Sequence, residues 1–346
     1  MLNIKQKSKC RWDLVSLGEI LLRLDPGENR IHDSRTFTIW DGGAEYNVAA
    51  NLSRVFAART AIATALTDNP IGRLADGFAR QAAVDTAEIV WRDEGRNGLY
   101  FIERGFGLRA PASAFDREFT AVSKLTTGSI DWQRIFREEG TRWFHTGGVF
   151  TGLSDSTPLA AAEAMKAAQD CGSVVSYDLN YRESLWGRRG GRDAANAANA
   201  ELLPYADVVF GTFGFDSQLS NFDPDAFIRS SEAMRSRFPD LRIIVSTLRD
   251  THSAGKHSFS AVCSVGGGVF RAKDYLEVEV LDRVGSGDAF AAGFVHGLLE
   301  DKGPQFALDC GTAHGVLTMT TPGDVSMCTA DEVFGLMQTG GSIAKR

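Results

Sequence analysis

Short runs of apolar residues alternate along the chain with longer stretches in which apolar residues recur at helical spacing. The short runs are rich in β-branched and aromatic residues, are bounded by turn residues, and predict buried strands at 14–17, 61–64, 143–145, 174–177, 207–210 and 243–245. Alanine-rich stretches between them, such as 159–168 and 194–203, predict helices. This alternation indicates an α/β fold with a mainly parallel central sheet and helices on both faces.

Two further short segments lie outside this alternation. Residues 35–40 and 98–102 have strand-like patterns with glycines and charged residues close by, and we expect them to form a small separate sheet over a ligand site. Polar stretches at 212–224 and 249–257 predict loops, and 336–346 is expected to be a loose tail.

Composition and charge exclude several classes of protein. The 346 residues are 43% hydrophobic, which suits a globular protein with a large core, and the net charge of −7 argues against a nucleic-acid or acidic-membrane binder. No apolar run approaches the roughly 20 residues of a membrane span, and no apolar stretch follows the polar first residues, so we expect a cytoplasmic protein without a secretory signal.

Several common ligand motifs are absent from the chain. The cysteines form no CxxC pair and the histidines no HxxxH pair, so no metal site is predicted from protein ligands. The absence of GxGxxG after the first strand, and of a GxxxxGKS or GxxxxGKT segment, argues against a nicotinamide dehydrogenase and a P-loop enzyme.

A glycine-rich turn near the carboxyl end combines an anion site with a carboxylate. It lies between a predicted strand at 278–282 and a predicted helix at 289–299, and consists of Gly285, Ser286, Gly287 and Asp288. A turn that opens a helix directs backbone N–H groups and the helix dipole at one point, which favours an anion. A neighbouring carboxylate can then accept the proton of a hydroxyl that attacks a phosphoryl group. From these residues alone, a helix N-cap and a tight turn explain the pattern equally well.

The run DRVGSGDAF at 282–290 resembles the DTxGAGDxF motif of the ribokinase-like, or PfkB, carbohydrate kinases. The resemblance implies that residues 285–287 form the anion hole and that Asp288 is the catalytic base. Arg283 stands where the wider family has Thr, and it resembles the branch that phosphorylates 2-keto-3-deoxygluconate. We therefore expect a three-layer α/β/α sandwich at 13–335 with a small β-sheet lid inserted at approximately 19–41 and 97–115.

A second block, GGAEYNVA at 42–49, resembles the family motif that faces the sugar. The resemblance implies substrate contacts from Gly42, Gly43 and Asn47. Glycines let a backbone approach a hydroxylated ligand closely, and the Asn amide both donates and accepts hydrogen bonds. Taken alone, GGxxxN is more often only the start of a helix.

A third block, YDLNYRESLW at 177–186, resembles the DxNxRxxLW segment of ketodeoxygluconate kinases. The resemblance implies substrate contacts from Asp178 and Asn180, and a contact between Arg182 and a substrate carboxylate. A planar guanidinium suits a sugar acid better than a neutral sugar. The alternative for Arg182 is an ion pair with an acidic neighbour.

The remaining site predictions are weaker. Tyr100 lies where the family carries a lid strand over the sugar, Thr247 and Arg249 lie in the place of a nucleotide-side segment, and His314 lies in a region that closes over adenine in relatives. Relatives also carry an N-x-x-E segment that helps to organise magnesium, whereas this chain continues GTFGFD at 211–216. Magnesium can still arrive with ATP, because it keeps several waters and needs few protein ligands.

The sequence therefore predicts a kinase that uses ATP and Mg²⁺ to phosphorylate the primary hydroxyl of a sugar acid, with 2-keto-3-deoxygluconate as the first candidate. Two alternatives stay open: a kinase of the same family for another sugar such as fructose or ribose, and a sugar- or nucleotide-binding homologue with impaired catalysis. A homodimer or higher homo-oligomer is compatible with the sequence.

Overall fold

The structure, a computed structural model, describes residues 2–339. Its strands are β1 (Trp12–Leu17), β2 (Leu21–Asp25), β3 (Thr38–Gly42), β4 (Thr60–Thr67), β5 (Val84–Asp85), β6 (Ile89–Arg92), β7 (Gly98–Glu103), β8 (Ala112–Asp116), β9 (Thr141–Gly147), β10 (Val174–Asp178), β11 (Val208–Phe210), β12 (Ile243–Ser253), β13 (Lys256–Val265), β14 (Gly268–Arg271) and β15 (Tyr275–Glu279). Its α-helices are α1 (Ala44–Phe56), α2 (Pro70–Gln81), α3 (Gly148–Thr151), α4 (Thr157–Asp170), α5 (Glu183–Trp186), α6 (Gly191–Leu202), α7 (Pro224–Arg237), α8 (Ser286–Leu299), α9 (Gly303–Thr318) and α10 (Ala330–Thr339). Short 3-10 turns occupy Lys7–Lys9, Val122–Lys124 and Leu203–Tyr205, and a π-helical turn occupies Arg134–Glu138.

The central sheet has the order β14-β13-β12-β11-β10-β9-β1-β4-β5, with β15 paired to β13 and β6 paired to β4. From β12 to β4 every neighbouring pair is parallel, and β13, β14 and β15 add an antiparallel edge. The predicted α/β architecture with a mainly parallel sheet is confirmed.

Alternate residues of the central strands pack into two separate cores, one on each face of the sheet. Leu14 and Trp143 lie in one core, and their neighbours Val15 and Phe144 lie in the other. All four are fully buried. Helices cover both faces, so neighbouring positions of a strand are apolar, which explains the continuous hydrophobic runs in the sequence.

A second, four-stranded sheet has the order β3-β2-β7-β8 and stands apart from the central sheet. The pairing of β2 with β7 is parallel, and the other two pairs are antiparallel. Its residues come from 21–42 and 98–116, so two distant stretches of chain form one small sheet. This agrees with the expectation of a small separate sheet.

Several predicted elements differ from the observed ones. The strand predicted at 278–282 ends at Glu279, and the loop predicted at 249–257 is instead the hairpin of β12 and β13, because pairing between these two strands outweighs the polar composition. Residues 336–339 of the predicted tail belong to α10, while 340–346 lie outside the described residues. Within residues 2–339, the structure has no helix long and apolar enough to cross a membrane.

Candidate active site

A cavity of about 620 Å³ lies between the carboxyl ends of the central parallel strands and the small sheet. Its volume is within the range of small-molecule sites. Asp178 and Phe210 end two central strands on one side, Tyr100 and Phe115 come from the small sheet on the other, and the 283–288 turn closes a third side. Ligands of open α/β sheets bind at this edge.

The glycine-rich turn has a geometry that only glycine adopts without strain. Gly285 is the N-cap of α8 with φ +77°, and a Cβ on it would lie 1.8 Å from the backbone oxygen of Asp324. Helix α8 begins at Ser286, three residues earlier than predicted, so its first N–H groups have no intrahelical partner. Ser286 uses its hydroxyl to donate to the backbone oxygen of Arg283 at 3.0 Å. The turn thus presents free N–H groups and the positive helix end to the cavity.

Asp288 lies in the first turn of α8 and lines the cavity. Since Gly285 is the N-cap and no side-chain bond caps this helix, the interpretation of Asp288 as the N-cap is wrong. Burial raises the pKa of Asp288 to about 7, Asn47 lowers it through a hydrogen bond, and the charge of Asp178 raises it further. A carboxylate whose pKa lies near neutrality is well suited to act as a general base.

The Gly42-Gly43 block positions Asn47 against the Asp288 carboxylate. Gly43 has φ +137° and a Cβ there would meet the backbone oxygen of Glu19 at 2.0 Å, so the chain passes close to the connection between β1 and β2 and turns into α1. Asn47 lies one turn into α1 and donates from Nδ2 to Oδ2 of Asp288 at 2.7 Å. Gly43 and Asn47 line the cavity, whereas Gly42 packs behind it against the Asp324 carboxylate.

The segment after β10 brings three of the predicted residues to the cavity: Asp178, Asn180 and Arg182. Asp178 accepts from the backbone N–H of Asn180 at 3.1 Å, and burial raises its pKa to about 6. Arg182 is exposed towards the cavity. Within residues 2–339 no acidic side chain lies within 4.0 Å of its guanidinium, so the ion-pair alternative is not realised.

The predicted nucleotide residues separate into two groups. Thr247 and Arg249 lie on β12 and line the cavity, together with Gly211 from the segment that replaces N-x-x-E. His314 does not line the cavity: it is fully buried on α9, its ring meets Phe56 edge-on at 5.3 Å, and burial lowers its pKa to about 3. Its position does not support the predicted adenine contact, because helical packing turns this side chain into the core.

A buried charge network lies behind the glycine-rich turn, and the sequence pattern did not predict it. Arg23 of β2 is fully buried and makes ion pairs with Asp25, Asp282 and Asp324, the last at 2.9 Å. The hydroxyl of Tyr100 donates to Asp324, whose pKa burial raises to about 6. The signal in the sequence that could have indicated this network was an arginine and an aspartate two residues apart in a strand whose other residues are leucines.

The carboxylates at the cavity do not form a protein-built metal cage. No group of three or more His, Cys, Asp or Glu side chains within residues 2–339 has the spacing of a metal site. Asp178 and Asp288 still face the cavity. The Asp178 carboxylate is an oxygen donor that fits a magnesium ion entering bound to phosphates and keeping several waters, and Asp288 then stays available as the candidate base.

Comparison with known proteins points to one family of enzymes. The family described as pfkB family carbohydrate kinase matches residues 12–214 and 253–331. A 2-dehydro-3-deoxygalactonokinase of Haloferax volcanii is 30% identical over 329 residues, which cover 95% of this chain and 97% of the relative. A 5-dehydro-2-deoxygluconokinase of Listeria monocytogenes is 26% identical, covering 97% of this chain and 99% of the relative. The crystal structure of a 2-dehydro-3-deoxygluconokinase from Thermotoga maritima has a TM-score of 0.84 and 31% identity, covering 94% of this chain and 98% of that chain.

Proposed function

Because this chain belongs to the pfkB family of carbohydrate kinases, we propose that it transfers the γ-phosphoryl group of ATP, bound with Mg²⁺, to the primary hydroxyl of a sugar acid. The first candidate acceptor is 2-dehydro-3-deoxygluconate, and 2-dehydro-3-deoxygalactonate is the second because of the relative from Haloferax volcanii. The observation that carries the proposal is the placement of Asp288 beside free N–H groups, in the same cavity as Arg182, which has no acidic partner within residues 2–339.

Asp288 is the proposed base of the transfer. Its carboxylate accepts the proton of the sugar hydroxyl as that oxygen attacks the γ-phosphorus, and the bond between the γ-phosphorus and the bridging oxygen breaks to release ADP. The N–H groups at 285–287 stabilise charge on the transferred phosphoryl group. Asn47 holds the carboxylate in place through its hydrogen bond of 2.7 Å.

Arg182 is the proposed contact for the acceptor's carboxylate. It lines the cavity, is exposed towards it, and keeps its guanidinium free of acidic partners within residues 2–339. A bidentate pair with a carboxylate would satisfy two of its donors and orient the acid. Asn180 and Gly43 lie in the same cavity and supply polar contacts for hydroxyl groups.

Product analysis tests this function. The purified protein is incubated with MgATP and, separately, with each of the two sugar acids, fructose and ribose, and the phosphorylated product is identified by mass spectrometry. We expect a sugar-acid phosphate and little product from the neutral sugars. Asp288→Asn should keep the folded structure and ATP binding but lose most turnover. Sugar binding without any phosphorylated product would refute the kinase assignment. Faster turnover of a neutral sugar than of the sugar acids would refute the assignment of a sugar acid as the acceptor.

A further inference from the structure

Arg249 is a cavity residue whose position is held from several sides. Its backbone N–H donates to the backbone oxygen of Ser217 at 2.9 Å, and Arg249 lies opposite Phe259 in the antiparallel pairing of β12 with β13. Its guanidinium lies over the Phe259 ring, 4.9 Å from the ring centre. A guanidinium stacked on an aromatic ring loses little freedom when it binds an anion, since its plane is already oriented.

The guanidinium of Arg249 lies directly beside the anion hole. A Cβ built on Gly287 would be 3.0 Å from its Nη2 atom, so this nitrogen sits against the backbone of the turn. A Cβ on residue 287 would make the end of the Arg249 side chain shift by a few tenths of an ångström. The glycine therefore allows the free N–H groups of the turn and an arginine to approach the same point.

No internal partner neutralises Arg249. Across residues 2–339, the hydrogen bonds and ion pairs of the structure do not use its guanidinium. The other arginines at the cavity, Arg182 and Arg283, repel it, while Asp178 and Asp288 attract it from beyond ion-pair distance. Partial desolvation by the cavity walls lowers the pKa of Arg249 to about 10, but the side chain remains accessible to solvent in the cavity and is charged at neutral pH. A cation held without a partner is favoured most by an anion that arrives between it and the N–H groups.

We propose that Arg249 is a catalytic residue. Its guanidinium contacts the oxygens of the γ-phosphoryl group while this group is transferred, on the side of the turn formed by Gly287. The inference rests on the proposed kinase function. Arg249 then supplies positive charge at the phosphoryl group, in a chain that lacks the N-x-x-E segment. Charge that grows on these oxygens as the bridging bond breaks is then shared between the N–H groups and the guanidinium.

The first test separates nucleotide contacts by isothermal titration calorimetry, without any sugar. ADP and the non-hydrolysable analogue AMP-PNP, each with Mg²⁺, are titrated into the wild type and into Arg249→Gln. We expect the variant to bind AMP-PNP at least about tenfold more weakly, while its affinity for ADP stays within about threefold, because only AMP-PNP carries the third phosphate. Equal losses for both nucleotides would overturn the proposal by placing Arg249 on the inner phosphates or the nucleoside.

The second test compares steady-state kinetics of Arg249→Gln with those of Arg182→Gln, which removes the same charge elsewhere in the cavity. Arg249→Gln should lower kcat by at least about 100-fold with little change in the KM of the sugar acid. Arg182→Gln should mainly raise that KM. Added guanidinium should restore part of the turnover of Arg249→Ala, which a merely structural role would not allow.

A kcat for Arg249→Gln within about threefold of the wild type would refute the catalytic role. A matching fall of kcat and thermal stability in Arg249→Lys, Arg249→Gln and Arg249→Ala, without guanidinium rescue, would make the residue structural and refute it too. Failure of the proposed function is distinguishable: the wild type would then phosphorylate none of the sugar acids, although the AMP-PNP titration would still report on Arg249.

Discussion

The hydrogen bond from Asn47 to Asp288 should set the acidic limit of activity. Asp288, the proposed base, can accept a proton only when ionised, and burial raises its pKa to about 7, so kcat/KM should be high above neutrality and fall as the pH drops through about 7. Far below that value, the loss should approach about tenfold for each pH unit. With MgATP saturating, kcat/KM for the sugar acid reports the ionisation of Asp288 in the enzyme–MgATP complex, before the sugar acid binds.

Replacement of Asn47 by Ala removes a donor that favours the ionised form. The bond is short, at 2.7 Å, and Asn47 is almost fully buried, so solvent screens it little. A hydrogen bond to a charged group contributes about 1.5–3 kcal/mol. Since one pKa unit corresponds to about 1.4 kcal/mol, the pKa of Asp288 should rise by about 1–2 units in Asn47→Ala. Activity at neutral pH then falls because most of the base is protonated.

The assay is kcat/KM for the sugar acid from pH 5 to pH 10, with MgATP saturating. Asn51→Ala is the matched control, because Asn51 lies one turn further along α1 and its Oδ1 accepts from the backbone of Ser326 instead. Glu45→Gln tests a second carboxyl group nearby, because burial raises the pKa of Glu45 to about 8. An acidic limb that stays in place in Asn47→Ala, or that vanishes in Glu45→Gln, would refute the assignment of this limb to Asp288.

Three further changes test other parts of the site. Arg182→Ala should reduce kcat/KM for a sugar acid far more than for a neutral sugar, and equal losses in parallel assays would remove its carboxylate role. Gly285→Ala should lower both turnover and thermal stability, since φ +77° costs an L-residue about 1–2 kcal/mol and the new Cβ would meet the backbone of Asp324 at 1.8 Å; unchanged melting would contradict this. Arg23→Met should cost about 3–5 kcal/mol of unfolding free energy, measured by denaturant titration, because it leaves Asp282 and Asp324 buried without their cation. Addition of Asp324→Asn to Arg23→Met should recover part of that loss.

The fold class was predictable because its signals are local and repeated. A strand buried on both faces, such as β1, needs a continuous apolar run, and a helix packed on one side needs apolar residues at helical spacing. The small sheet was also indicated, but its pairing joins β2 to β7 across more than 70 residues, and periodicity carries no information about such partners. The prediction of a loop at 249–257 was wrong for the same reason, because pairing between β12 and β13 keeps these polar residues in extended strands.

The chemistry of the site divides in a similar way. The sequence already indicated the glycine turn, its carboxylate and the arginine after β10, since each belongs to a short motif, and their roles as anion site, base and carboxylate contact stay predictions. It did not determine that Asp288 has a pKa near 7, because that value depends on burial and on an amide 241 residues away. Only the tertiary structure brought Arg23 behind the turn, directed His314 into the core, and set Arg249 against Gly287. The physical reason is that electrostatic energies depend on distance and solvent exposure, and both arise only when remote parts of the chain pack together.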